Sequence, residues 1–300
     1  MKACFIVNPR SGAAARALPH VRSFAAKRGS EVVLTERAGH ASTLAEKALQ
    51  DGCERIIAVG GDGTLNEVAR VLVGTSAVCG LVPCGSGNGL GRHLGIHGSV
   101  ASALAILDHG QPRSIDTGLA DGHPFVTAAG LGFEAELAAK FNQPGRRGFA
   151  GYLATGAPLL RSHRPQRYRL DCDGRQETIE AFTLAVANSD QYGNQAFIAP
   201  GARVDDGLLN LTAVPSLSLW NSAPLLWRLF RGTLAQSPRI VLRSSARIVV
   251  ERPAPGLLHV DGETYLAGTR VEFLVRPLSL RILVPDRSLA QRRRNAEIDH

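Results

Sequence analysis

The chain has 300 residues, 44% of them hydrophobic and 20% charged, which is apolar enough for two cores and excludes a disordered chain. Five cysteines, an odd number with no Cys-x-x-Cys pair, speak against a disulfide framework and for free thiols in a reducing compartment. A net charge of +8 favours anionic partners, yet aromatics are only 5% and no basic stretch is interleaved with them, which argues against a nucleic-acid surface.

The apolar run at residues 3–7 is too short for a signal peptide and ends at Asn8-Pro9; no window approaches the length that spans a bilayer. The expectation is a soluble, cytoplasmic protein. Residues 3–7 read as a first strand, followed by the polar turn Asn8-Pro9-Arg10-Ser11-Gly12 and an alanine-rich helix over 13–28. A second strand over 32–35 leads to a helix over 41–49, capped near Ser42 or Thr43. The third strand, 56–59, runs into Gly60-Gly61-Asp62-Gly63-Thr64. Leu65, Val68, Ala69, Leu72 and Val73 then recur at helical spacing, with Thr64 or Asn66 placed to cap. A fourth strand over 79–82 ends in Pro83-Cys84-Gly85-Ser86-Gly87-Asn88-Gly89.

Strands alternating with helices at this spacing predict a doubly wound parallel sheet, whose ligands gather at the carboxyl ends of the strands. The four polar or glycine-rich segments all fall there. A strand, a glycine loop and a helix N-terminus offer main-chain N–H groups to a phosphate. Asp62 in the middle of the loop would repel a phosphate unless a cation lay between them, which points to Mg-ATP.

From Ile115-Asp116-Thr117-Gly118 the pattern changes. Short apolar runs at 125–129, 168–170, 182–187, 208–213, 247–250, 257–260, 270–275 and 280–284 alternate with glycine, Asp and Pro turns, as in a β-sandwich. Helical insertions are expected over 134–141 and 151–160. Two acidic turns stand out, Asp205-Asp206-Gly207 and Asp261-Gly262-Glu263. Each reads as a hairpin turn; the second also has the two acids that phosphoryl transfer uses. Residues 217–234 form an apolar helical stretch broken by Pro224, with Arg228 and Arg231 alongside. It reads equally as core or as an interfacial segment beside a bilayer. The basic clusters Arg146-Arg147, 161–169 and 292–294 suit anionic headgroups or solvated faces, and the tail suits the latter.

The octet Gly60-Gly61-Asp62-Gly63-Thr64-Leu65-Asn66-Glu67 resembles the signature of the diacylglycerol kinase catalytic-domain family, which includes bacterial YegS-like lipid kinases and is related to sphingosine kinases. NAD kinases share its glycine-Asp-glycine core. Asn8-Pro-x-Ser11-Gly12, Pro83-x-Gly85-Ser86-Gly87-Asn88 and Gly130-x-Gly132-Phe133-x-Ala135 also resemble this family's segments, in its order. Asp205-Asp206-Gly207-Leu208-Leu209-Asn210 and His259-Val260-Asp261-Gly262-Glu263 look like lipid-kinase segments and argue against an NAD kinase. One departure is Gly89, where many relatives carry an Asp.

The resemblance implies an N-terminal NAD-kinase-like sheet domain at 1–119, a C-terminal β-sandwich lipid-substrate domain at 120–284 and a polar tail at 285–300, with chemistry in the cleft. It implies nucleotide contacts from Asn8, Gly12, Thr35, Gly61, Asp62, Gly63, Thr64, Leu65, Asn66, Glu67 and Ser86. It makes Glu263 the proton acceptor and Asp261 its partner near the metal, with Asp62 able to exchange roles. It also implies an Mg²⁺ or Ca²⁺ held by Asp206 and the carbonyls of Arg203 and Leu208. The expected activity is γ-phosphate transfer from Mg-ATP to a lipid hydroxyl, diacylglycerol first and a sphingoid base as alternative. An NAD kinase-like enzyme and a non-catalytic nucleotide-binding regulator are the other readings. Peripheral membrane contact and a homodimer are expected partnerships.

Overall fold

The computed structural model describes residues 2–141, 155–156, 158–216 and 219–286; Arg146-Arg147, residues 151–154 and 157 of the helix expected over 151–160, and most of the polar tail lie outside them, while 155–156 and 158–162 are helical. The chain divides into two compact units, 1–114 with 280–300, and 115–279.

In the first unit the order is β1 (Ala3–Val7), α1 (Ala14–Ala26), β2 (Glu31–Leu34), α2 (His40–Gln50), β3 (Arg55–Gly60), α3 (Asp62–Leu72), β4 (Val78–Pro83), α4 (Gly89–His93) and α5 (Val100–His109). Strands β2, β1, β3 and β4 lie side by side and parallel, with Val7 opposite Val59 and Val59 opposite Val82. β1 and β3 are buried almost throughout, as strands covered on both faces must be. Phe5, Val7, Ile57, Val59 and Val82 form the core with Ala17, Val21, Leu104 and Leu107 of α1 and α5. Residues 280–284, read from sequence as part of the sandwich, return here: Arg281 and Ile282 pair in parallel with Val78 and Cys79.

Two helix starts differ from the sequence expectation. α3 begins at Asp62 with Gly61 as N-cap, so Thr64 and Asn66 are buried within its first turns rather than capping it. α2 has Gly39 as N-cap, and its exposed amides are met from a distance: Glu67 accepts the N–H of Gly39 at 3.0 Å and of Ala41 at 2.9 Å. α5 carries no strong periodic signal beyond its Ser99 cap and is absent from the sequence reading.

The second unit contains β5 (Gln111–Ala120, entering from the first unit), β6 (His123–Phe125), β7 (Ala128–Gly132), α6 (Phe133–Phe141), β8 (Gln166–Cys172), β9 (Arg175–Ala181), β10 (Thr183–Ala187) and β11 (Leu209–Val214). It continues with α7 (Leu219–Arg231), β12 (Val241–Ser245), β13 (Arg247–Glu251), β14 (Gly256–Val260), β15 (Glu263–Ala267) and β16 (Arg270–Val284). One antiparallel sheet runs β12-β11-β10-β7-β14-β15; against it lies a layer in which β8 pairs with β9 and β13, and β13 with β16. Leu131, Leu184, Leu211, Leu258 and Val260 from one sheet meet Tyr168, Leu170, Ile248, Val250 and Phe273 from the other, which makes the sandwich. β9 and β12 escape sequence reading because they are rich in charged or polar residues.

Candidate active site

Three main-chain turns converge at the carboxyl ends of β1, β3 and β4. Asn8 donates its N–H to Val59 O at 3.0 Å, Ala13 to Cys84 O at 2.9 Å, and Cys84 to Gly60 O at 2.6 Å. Thr35 donates to Val7 O at 2.9 Å, which brings the end of β2 to the same edge. The contact is close enough that side chains would not fit. Gly12 has φ +47°, and a Cβ on it would lie 2.0 Å from Cys84 O; one on Gly85 would lie 2.6 Å from the Gly61 Cα. A Cβ on Gly63 would meet nothing within 4 Å, so the first turn of α3 faces open space. Ser86 and Gly12 are exposed beside it. Backbone-lined room at the N-terminus of an 11-residue helix is suited to an anion.

The acids of the glycine octet do structural work here. Asp62 accepts the N–H of Gly89 at 2.7 Å on one oxygen and of Asn88 at 2.8 Å on the other, so it ties the 60–64 loop to the 84–89 loop. Burial pushes its pKa above the ordinary carboxylate value, against the opposing pull of the Gly89 and Asn88 amides and of Arg92. Gly89, the departure noted in the sequence, is thus one of the two residues whose amides Asp62 holds. Glu67 faces α2 rather than the open turn, as its bonds to Gly39 and Ala41 require.

In the second unit, the 261–263 turn joins β14 to β15, with Val260 opposite Glu263. Asp261, at φ +50°, accepts the N–H groups of Val126, Thr127 and Ala128 at 2.8, 2.9 and 3.0 Å. Its two oxygens fasten the turn to the start of β7. Glu263 is exposed and accepts the phenol O–H of Tyr265 at 2.7 Å, and the Tyr265 ring stacks on His123 with centroids 3.8 Å apart.

Beside this turn lies a buried polar group that sequence reading missed. His259 Nε2 is 3.1 Å from Glu134 Oε1, and the Tyr192 hydroxyl donates to Glu134 Oε2. His259 sits opposite Gly130 in the sheet, where a Cβ would fall 1.5 Å from Glu134 Oε1. Gly130 thus makes room for the carboxylate that follows it by four residues. The only signal was the Gly130-x-Gly132 spacing, since Tyr192 is 58 residues from Glu134.

The 203–208 turn is closed by its own hydrogen bonds. Asp206 Oδ1 accepts the Leu208 N–H at 3.1 Å, and Arg203 Nε lies 3.3 Å from Asp205 Oδ1. Asp116, fully buried, accepts the N–H of Gly207 and of Leu278, both at 2.7 Å, and so holds the turn from beneath. Among the described residues no group of three or more His, Cys, Asp or Glu side chains lies together. A magnesium ion that arrives on nucleotide phosphates needs only one or two carboxylates. Asp62 fits that need, because each of its oxygens keeps a lone pair beyond the amide it accepts.

A further cavity in the second unit, about 620 Å³, is lined by Gly132, Glu136, Gln166, Arg252, Pro255 and Leu257 among others. Arg252 is buried, and its guanidinium is held by the carbonyls of Gly256, Leu257, Ala267 and Gly268. Burial lowers its pKa from the ordinary arginine value.

Comparison with known proteins gives one consistent picture. The family model of the diacylglycerol kinase catalytic domain matches residues 2–120, and that of the YegS C-terminal NAD kinase beta sandwich-like domain matches 127–284. A "Probable lipid kinase YegS-like" of Pseudomonas fluorescens is 33% identical over 263 residues, 86% of each chain. One from Pseudomonas aeruginosa is 33% identical over 259 residues. The fold is shared with a diacylglycerol kinase from Bacillus anthracis (TM-score 0.72, 18% identity, 95% of this chain and 97% of that one). It is shared more loosely with an NAD kinase from Archaeoglobus fulgidus in complex with ATP (TM-score 0.56, 13% identity, 94% and 93%).

Proposed function

We propose, for a chain that belongs to the YegS-like lipid kinases built on the diacylglycerol kinase catalytic domain, that it transfers the γ-phosphate of ATP to a hydroxyl of a diacylglycerol-like lipid. The observation that carries the reading is the convergence of the 8–12, 60–64 and 83–89 turns around the open first turn of α3. Bare amides and a helix N-terminus there complement phosphate charge. ATP is the phosphoryl donor; a magnesium ion on its phosphates would be held by Asp62 and would neutralise charge during transfer.

The remaining work falls to side chains. Asn8, Gly12, Thr35, Gly61, Gly63, Thr64 and Ser86 shape the nucleotide site; Leu65, Asn66 and Glu67 support it from within α3 and towards α2. Glu263 accepts the proton of the lipid hydroxyl, its exposed carboxylate oriented by the Tyr265 hydroxyl. Asp261 fixes the turn that presents Glu263. The lipid resides in a bilayer, so the enzyme works at a membrane surface as a peripheral protein. Among the described residues no helix is long and apolar enough to cross a membrane.

The test is phosphate transfer from radiolabelled ATP to diacylglycerol, monoacylglycerol, ceramide, sphingosine and NAD in detergent micelles, with Glu263→Gln in parallel. Label in diacylglycerol, and a nearly silent variant, support the reading. Label in sphingosine or NAD alone overturns the acceptor, and full activity of the variant overturns the proton acceptor.

A further inference from the structure

Helix α7 presents its apolar residues in two directions. Leu225 is 7% exposed and packs, with Leu229, against Ile198, Ala202 and Leu234. Leu226 and Trp227, immediately after Leu225, are 41% and 58% exposed. Ala223, Pro224 and Arg231 are exposed as well. At helical spacing 223, 227 and 231 line up, with 226 and 230 beside them, so the outward face is apolar with a cation at its end. A helix covering a globular core ordinarily turns polar residues outward.

The stretch of chain that holds this helix carries charge of one sign. From Gly207 to Val250 the chain has no Asp or Glu, yet it carries Arg228, Arg231, Arg239, Arg243 and Arg247. Arg243 and Arg247 are paired with Glu177 and Glu272. The other three make no ion pair among the described residues, and the Arg231 guanidinium lies 5.5 Å from the centre of the Trp227 ring. At 13 residues the helix is about 20 Å long, too short to span a bilayer. Exposed Trp and Leu flanked by arginines that have no acidic partner among the described residues is the composition of a helix lying in the plane of a membrane interface. A second copy of this chain fits less well, because a two-fold contact through this helix would gather the arginines of both copies in one interface while the 207–250 stretch offers no acid to meet them.

We propose that α7 docks this protein on an anionic phospholipid bilayer, with Leu226 and Trp227 at the boundary of headgroups and acyl chains and Arg228, Arg231 and Arg239 on the phosphates. Docking deepens the lipid-kinase reading by naming the surface that meets the membrane, but it requires neither nucleotide nor turnover.

The chain has two tryptophans, so Trp220→Phe leaves Trp227 as the sole reporter. The full-length variant would be titrated with vesicles of phosphatidylcholine containing 30% phosphatidylglycerol, with and without acyl-brominated lipid. Docking predicts a blue-shifted Trp227 emission, quenching by the brominated lipid and loss of binding in 0.5 M salt. On the wild-type background, Arg228→Gln and Arg231→Gln should each weaken vesicle co-sedimentation about fivefold. Trp227→Ser should weaken it at least as much, and Arg228→Lys should retain it. Unchanged Trp227 emission with anionic vesicles overturns the proposal, and so does sedimentation that Trp227→Ser leaves intact. A concentration-dependent dimer abolished by Trp227→Ser would also overturn it, in favour of a second copy as occupant. Turnover on micelle-dispersed lipid separates the two readings. If docking holds and no acceptor is phosphorylated, only the enzymatic reading falls; if micellar turnover persists without vesicle binding, only docking falls.

Discussion

Oε1 of Glu134 lies 3.1 Å from Nε2 of His259, with side chains only 9% and 8% exposed, although 125 positions separate them in the chain (259 − 134). Removing one partner leaves buried polar groups of the other unmatched, which typically costs about 1–3 kcal/mol for each group. Glu134→Ala is expected to lose about 3 kcal/mol in urea unfolding, since it also strips the Tyr192 hydroxyl of its acceptor. Glu134→Gln, which keeps the shape, should lose less. A Glu134→Ala protein as stable as the parent would mean that the pair contributes nothing to this unit.

The two acids of the 261–263 turn should separate cleanly. Asp261→Ala releases three main-chain amides and should cost about 1–3 kcal/mol of stability. Glu263→Gln sits on an exposed strand start and should stay within about 0.5 kcal/mol of the parent while phosphate transfer falls roughly 10²–10⁴-fold. Thermal melts and turnover on the same preparations would reveal a reversed pattern if the roles are exchanged.

Asp62→Ala should act on the nucleotide site through the loop it holds. Without the carboxylate, the Asn88 and Gly89 amides lose their acceptor, and calorimetric affinity for a non-hydrolysable Mg-ATP analogue is expected to drop about tenfold or more. Equal affinity in parent and variant would rule out this clamp. Gly12→Ala should have a similar effect, as its Cβ collides with Cys84 O and its φ is left-handed.

Acid should weaken the second unit through Glu177. Arg243 grips its carboxylate at 2.7 Å with both Nε and Nη2, and that hydrogen bonding holds the folded pKa below the ordinary 4.5. Because the folded pKa is the lower one, the stabilisation is present above the unfolded value and is lost as the pH falls through the folded one. Both side chains are partly exposed, so the amount is about 1 kcal/mol at most. Comparing pH 7 with pH 3, Glu177→Gln should lose less stability than the parent; identical slopes would show that the pair does not titrate on unfolding.

Local order decided much of what could be read in advance. The parallel sheet was legible because β1, β3 and β4 are short apolar runs, each followed by glycine or polar turns, and burial on both faces permits little else. The Gly60–Gly63 loop and the Asp261-Gly262-Glu263 turn were visible for the same reason, as backbone constraints written into adjacent residues. Strands such as Arg175–Ala181 were not, since a polar edge strand resembles a loop until a neighbour pairs with it.

The amino-acid sequence by itself determined the strands of the parallel sheet, the glycine-rich loop after β3 and the family of the chain. Only the tertiary structure decided what each acid does. Asp62 reaches amides 26 and 27 residues away, Asp261 reaches others more than 130 away, and Glu134 meets His259 and Tyr192 from separate strands and loops. The physical reason is that a carboxylate's role follows from the donors placed around it. Those donors are main-chain groups that every residue but proline carries, so no side-chain pattern announces them.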